Sequence, residues 1–126
     1  MIVSVDPTTG AELARFPPYT AEEVDAALAA AVTAQRSWRR RPVTDRVELL
    51  RDIARVLRAG RERYAQLITA EMGKPIAEAE AEIEKCAVTC EHYAAHAPEY
   101  LADRSIASSA TESTIVYDPL GVVLAS

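Results

Sequence analysis

The sequence closes on Tyr117-Asp118-Pro119-Leu120-Gly121-Val122-Val123-Leu124-Ala125-Ser126, a turn signal followed by an apolar run without polar alternation. Continuous Val/Leu runs of this kind mark strands buried on both faces, as in parallel sheets covered by helices. A parallel strand reaches its neighbour through a crossover of a dozen or more residues. None follows this run within the 126 residues. The expectation is therefore the front piece of a larger α/β protein, with its last strand unpartnered and its end the least stable part.

A chain of 126 residues falls in the range of one domain. Its 49% hydrophobic and 26% charged residues argue against disorder. With 14 basic and 19 acidic residues the net charge is −5, so nothing global favours nucleic acid or an anionic membrane. The charge is unevenly spread. Gln35 to Arg63 holds ten Arg against four acids, and Ala65 to Arg104 holds eight acids against three bases. The four glycines, Gly10, Gly60, Gly73 and Gly121, draw no phosphate-binding loop. Asp6 and Pro7 follow a few apolar residues too closely for an export signal, and no stretch approaches the ~20 apolar residues that cross a bilayer. Two cysteines, Cys86 and Cys90, suit reduced thiols, and a cytoplasmic compartment is expected.

Local signals punctuate the chain. Ile2–Val5 and Ala11–Phe16 flank Asp6-Pro7-Thr8-Thr9-Gly10 and read as a hairpin. Thr20 and Glu23 form a capping box that opens a helix to about Trp38. A second helix starts at Thr44-Asp45, with Leu50, Ile53, Leu57, Tyr64, Leu67 and Ile68 in one stripe that Gly60 can interrupt. Pro75 suits the first position of a third helix, whose stripe runs through Ile76, Ala79, Ile83, Cys86, Ala87, Cys90, Ala94 and Ala97 and breaks or kinks at Pro98. Thr111 to Tyr117 is β-prone.

The clusters that could carry chemistry each have a plainer reading. Cys86 and Cys90, one helical turn apart, read as small core hydrophobes. They lie mid-helix among Glu80, Glu82, Glu84 and Glu91, the wrong setting for a lowered thiol pKa. A structural zinc site wants four ligands, and His92 and His96 fall off the cysteine face. The Arg36-Arg39-Arg40-Arg41 cluster, with Arg46, Arg51, Arg55, Arg58, Arg61 and Arg63, reads as a solvated face that meets the acidic third helix. Helix-spaced pairs Glu48 with Arg51, Asp52 with Arg55 and Arg58 with Glu62 support it. Glu78, Glu80, Glu82 and Glu84 fan around the helix and form no acid/base pair.

Taken in order, several stretches resemble the N-terminal part of the aldehyde dehydrogenase superfamily. They are Asp6-Pro7-Thr8-Thr9-Gly10, Glu22 to Ala27 followed by Trp38-Arg39, Arg46-Val47-Glu48-Leu49-Leu50-Arg51, Glu71-Met72-Gly73-Lys74-Pro75, and Tyr117 to Val123. Within Glu71 to Ala87, followed by Tyr93-Ala94, the resemblance is to the succinate-semialdehyde dehydrogenase branch.

The resemblance implies an NAD(P)+-dependent oxidation of an aldehyde, succinate semialdehyde above all, to its acid. In that chemistry a cysteine thiolate forms a thiohemiacetal, hydride passes to the nicotinamide, and a glutamate assists hydrolysis of the thioester. It implies an α/β fold whose N-terminal piece, taken alone, is α+β with three main helices. Residues 1–17 would be the hairpin and 20–103 the helical segment. Residues 111–118 would be an oligomerisation strand, and 121–126 the truncated start of a Rossmann-like core. The family's oxyanion-stabilising Asn, cofactor-binding Lys, Gly-Ser segment, Glu base and Cys nucleophile match no position here. No residue is therefore expected to be catalytic, cofactor-binding or metal-binding, and the piece alone is expected to be inactive. NAD or NADP serves the full-length enzyme and is not expected to bind the piece well. The implied partners are an aldehyde substrate and further copies of the full-length subunit, without nucleic acid or membrane. The alternative is a stand-alone helical interaction module that uses the Arg-rich face.

Overall fold

A hairpin leads into four helices in the computed structural model of the protein, which describes residues 1–125. Strands β1 (Ile2–Val5) and β2 (Glu12–Phe16) pair antiparallel, with Ile2 opposite Phe16 and a bulge between Ser4 and Val5. The turn between them is built locally. The Asp6 carboxylate accepts the amides of Thr8 at 2.7 Å and Thr9 at 3.3 Å, the Asx arrangement that favours Asp in turns. The Thr8 amide holds the Asp6 carboxyl below its ordinary pKa.

Helix α1 (Ala21–Trp38) starts at the capping box. The Thr20 hydroxyl accepts from the Glu23 amide at 3.2 Å, and the Glu23 carboxylate accepts from the Thr20 amide at 2.8 Å. None of its residues is buried. The next helical stretch is two helices, α2 (Val43–Ala59) and α3 (Arg61–Met72), so the described chain has four helices where the sequence suggests three. Gly60 parts them. A Cβ there would stand 2.5 Å from the Tyr64 ring, which folds back over the bare backbone while the Arg63 guanidinium covers it at 4.7 Å.

Helix α4 (Ile76–Tyr100) packs along both α2 and α3 and carries most of the core. The buried residues are Val47 and Ala54 from α2, Ala65 from α3, and Ala79, Ile83, Ala87 and Ala94 from α4. Five of these seven are alanine. Small side chains let helix backbones approach closely, so this core is held by proximity more than by bulk. The stripe read from the large residues is displaced: Ile53 and Leu67 are exposed, while Val47, Ala54 and Ala65 are buried.

Pro98 neither breaks nor ends α4, which runs on to Tyr100. Proline has no N–H to offer the carbonyl four residues back, that of Ala94. Arg51 on α2 supplies a replacement, its Nη2 lying 3.5 Å from that oxygen. A tertiary donor thus occupies the acceptor that the proline leaves free.

After α4, β3 (Arg104–Ser105) pairs antiparallel with β4 (Thr114–Ile115). The β-prone stretch 111–118 is strand only over Thr114–Ile115, because its partner is two residues long. Residues 121–125 adopt no strand, since no strand among the described residues lies alongside them. Leu120 and Leu124 are 101% and 90% exposed. Ser126 lies outside the described residues. No helix among the described residues is long and apolar enough to cross a membrane.

Candidate functional site

The faces that could do chemistry lie around α4. Its acidic side meets the basic side of α2 in a fork. Arg58 donates to Glu84 at 2.8 Å and to Glu91 at 2.5 and 2.9 Å. Glu84 and Glu91 are two turns apart, so one planar guanidinium reaches both. Hydrogen bonds from Arg58 hold both carboxyls below the ordinary glutamate pKa and push the guanidinium still further up. Arg61 lies 3.7 Å from Glu80. Arg51 and Arg55 pair within α2 with Glu48 and Asp52. Arg58 turns to α4 rather than to Glu62, whose carboxylate instead accepts from Gln66 at 3.3 Å. Arg58 and Arg61 thus tie α2 and α3 to α4, while Arg51 and Arg55 form ion pairs within α2.

An open groove of about 700 Å³ follows α4, lined by Lys74, Glu78, Glu82, Lys85, Cys86 and Cys90 among others. Cys86 is exposed and Cys90 half-buried. Both stand outside the core, contrary to their reading as core hydrophobes. The core face of α4 is Ala79, Ile83, Ala87 and Ala94, and the thiols lie to one side of it. Lys74 pairs with Glu82 at the mouth of the groove. That contact raises the Lys74 pKa and lowers the Glu82 pKa, each chiefly through the shared hydrogen bond. No oxyanion-stabilising or proton-accepting group faces either thiol across a described hydrogen bond. Further along α4 the rings of His92 and His96 stack with centroids 4.3 Å apart. Among the described residues no group of three or more His, Cys, Asp or Glu gathers as for a metal ion.

Two stretches that are distant in sequence meet at the start of α4. Gly73 ends α3 with φ +69°, and a Cβ there would stand 3.2 Å from Pro7 Cγ in the hairpin turn. The Ser4 hydroxyl donates to Glu71 at 2.9 Å. The Asp6–Gly10 turn therefore seats on the Met72-Gly73-Lys74-Pro75 junction. Neither stretch signals this alone, and the pairing is invisible until the chain folds.

The remaining faces are apolar and open. Val24, Leu28 and Val32 project from α1 into solvent. Val122 enters a shallow groove beside Ala31, Ala34, Gln35, Trp38 and Arg41, and Arg39 lies 3.7 Å from Asp118.

Residues 1–125 match the sequence family described as the aldehyde dehydrogenase family. The chain is 42% identical over 123 residues to a succinate semialdehyde dehydrogenase [NAD(P)+] of Escherichia coli, covering 98% of this chain and 27% of that protein. It is 34% identical over 121 residues to a succinate-semialdehyde dehydrogenase [NADP(+)] of Deinococcus radiodurans, covering 96% and 25%. Among solved structures, succinic semialdehyde dehydrogenase from Streptococcus pyogenes, in complex with NADP+, superposes with a TM-score of 0.83 at 27% identity, covering 89% of this chain and 25% of the other. The chain spans about a quarter of the length of the curated relatives it matches.

Proposed function

The chain belongs to the aldehyde dehydrogenase family, and on that premise we propose that it serves an NAD(P)+-dependent enzyme that oxidises succinate semialdehyde to its carboxylic acid. The observation that carries this is the match of nearly the whole chain, at 42% identity, to a protein with that activity in its name. The hairpin seated on the α3–α4 junction and the alanine-packed α2–α3–α4 unit supply a scaffold. Residues 111–118 serve assembly between subunits, and 121–126 open the Rossmann-like core. The enzyme works in the cytoplasm as a homo-oligomer.

On this reading the cofactor is held by other parts of the full-length enzyme and not by this scaffold. No step of the reaction is assigned to these residues, and the 126-residue chain turns over nothing by itself.

Two experiments test this. The purified chain, mixed with succinate semialdehyde and NAD+ or NADP+, gives no reduced nicotinamide, and measurable reduction overturns the scaffold assignment. Exchanging residues 1–126 for the matching segment of the Escherichia coli relative gives a chimera that oxidises succinate semialdehyde. A chimera that folds and assembles but oxidises no aldehyde overturns the assignment of this segment to such an enzyme. The rival, a free-standing module that docks partners through arginine, loses ground because Arg51, Arg55, Arg58 and Arg61 already have acidic partners.

A further inference from the structure

Two imidazoles one helical turn apart on α4 have the spacing from which a chelate can close. His92 and His96 stand about one helical turn apart, their rings stacked with centroids 4.3 Å apart and planes 26° from parallel. His96 Nδ1 lies 2.7 Å from the carbonyl oxygen of His92. A carbonyl oxygen only accepts, so Nδ1 carries the proton and the lone pair of His96 is on Nε2. A backbone carbonyl holding the far ring nitrogen is the arrangement that orients imidazole ligands in metal sites. One turn further along, the Tyr100 hydroxyl lies 3.3 Å from His92 Nε2, and its ring stacks on His96 at 5.8 Å. With the hydroxyl donating, Nε2 is the lone-pair nitrogen of His92 as well. His92 is exposed and His96 half-buried, so both residues reach the surface of α4.

We propose that His92 and His96 form a surface chelate for a divalent transition ion that prefers imidazole nitrogen. Cu2+ binds most tightly, with Ni2+ and Zn2+ behind it. The stacked rings tilt so that both Nε2 lone pairs converge on the ion, the Tyr100 hydroxyl gives up its hydrogen bond to His92, and water completes the coordination. With no third His, Cys, Asp or Glu gathered there among the described residues, the site stays open. It is unlike the closed four-ligand zinc sites that drive folding. Mg2+ and Ca2+, which require oxygen ligands, are not bound.

Cys86 and Cys90 are the other helix-spaced pair on α4 and could take up the same ions, so the test removes them. Cu2+ is titrated into the 126-residue chain carrying Cys86→Ser and Cys90→Ser, with electron paramagnetic resonance as the readout. One ion per chain is expected, with nitrogen couplings from two imidazoles. Adding His96→Asn or His92→Asn lowers the affinity at least about tenfold and leaves a single imidazole coupling. Circular dichroism of each variant separates ligand loss from helix loss. Absence of a stoichiometric site, or binding that neither histidine substitution changes in a chain of unaltered helicity, overturns the proposal.

Discussion

Helices α1 and α4 both carry apolar residues at helical spacing, yet only α4 buries any. Ala79, Ile83, Ala87 and Ala94 close against α2 and α3, while Leu28 in the middle of α1 is 50% exposed. The difference teaches that an amphipathic stripe promises a partner without supplying one. In the α2–α3–α4 unit the partner is within the described residues. For α1, and for the run from Leu120 to Leu124, the only such contact among the described residues is the shallow one at Val122, and Leu28, Leu120 and Leu124 stay exposed. The first region should therefore resist perturbation as a cooperative unit, and the second should respond only locally.

The largest effect that would break this contrast comes from the core. Ile83→Ala should cost about 2–5 kcal/mol in chemical denaturation, whereas Leu28→Ser in α1 should stay within about 0.5 kcal/mol. Equal costs would erase the distinction. Gly73→Ala comes next. A non-glycine residue at φ +69° is strained by about 1–2 kcal/mol, and the new methyl presses on Pro7, so the hairpin should also lift from the α3–α4 junction. Loss of nuclear Overhauser contacts between Pro7 and residue 73 would show it.

Thr20→Ala removes a cap worth about 1 kcal/mol. Because α1 buries no residue, that loss should appear as fraying of residues 21–38 with the main unfolding midpoint unmoved. A shifted midpoint would mean that α1 belongs to the cooperative unit.

The smallest effect is electrostatic. Glu84 and Glu91 have folded pKa values below the ordinary glutamate value of 4.5, so the Arg58 fork contributes fully above about that pH. Its contribution is lost as the pH falls from there through the lowered folded values. The groups are substantially exposed, so the effect is modest and shrinks with added salt. Arg58→Met should flatten the acid limb of a melting-temperature profile below pH 4.5, and an unchanged limb would discount the fork.

What could be read from the sequence was what depends on near neighbours. The Thr20–Glu23 box set the start of α1, and Asp6 with its Thr8 and Thr9 amides made the hairpin turn. What escaped depends on distant ones. Pro98 looked like a helix break because the donor that satisfies Ala94, Arg51, lies 43 residues away. The cysteines looked like core because alanine, which carries most of this core, gives a weak hydrophobic signal beside larger residues. The strand at 111–118 shrank to Thr114–Ile115 because pairing, not propensity, sets strand length. The stacked histidines were visible as a spacing, but their ring orientation rests on the His92 carbonyl and the Tyr100 hydroxyl.

The contrast between the two regions is tested most directly by native-state hydrogen exchange on the 126-residue chain. Amides of residues 79–94 in α4 should exchange only through global unfolding, while those of residues 24–36 in α1 exchange by local opening that denaturant barely alters. Equal protection of the two helices, converging on one unfolding free energy, would contradict the account.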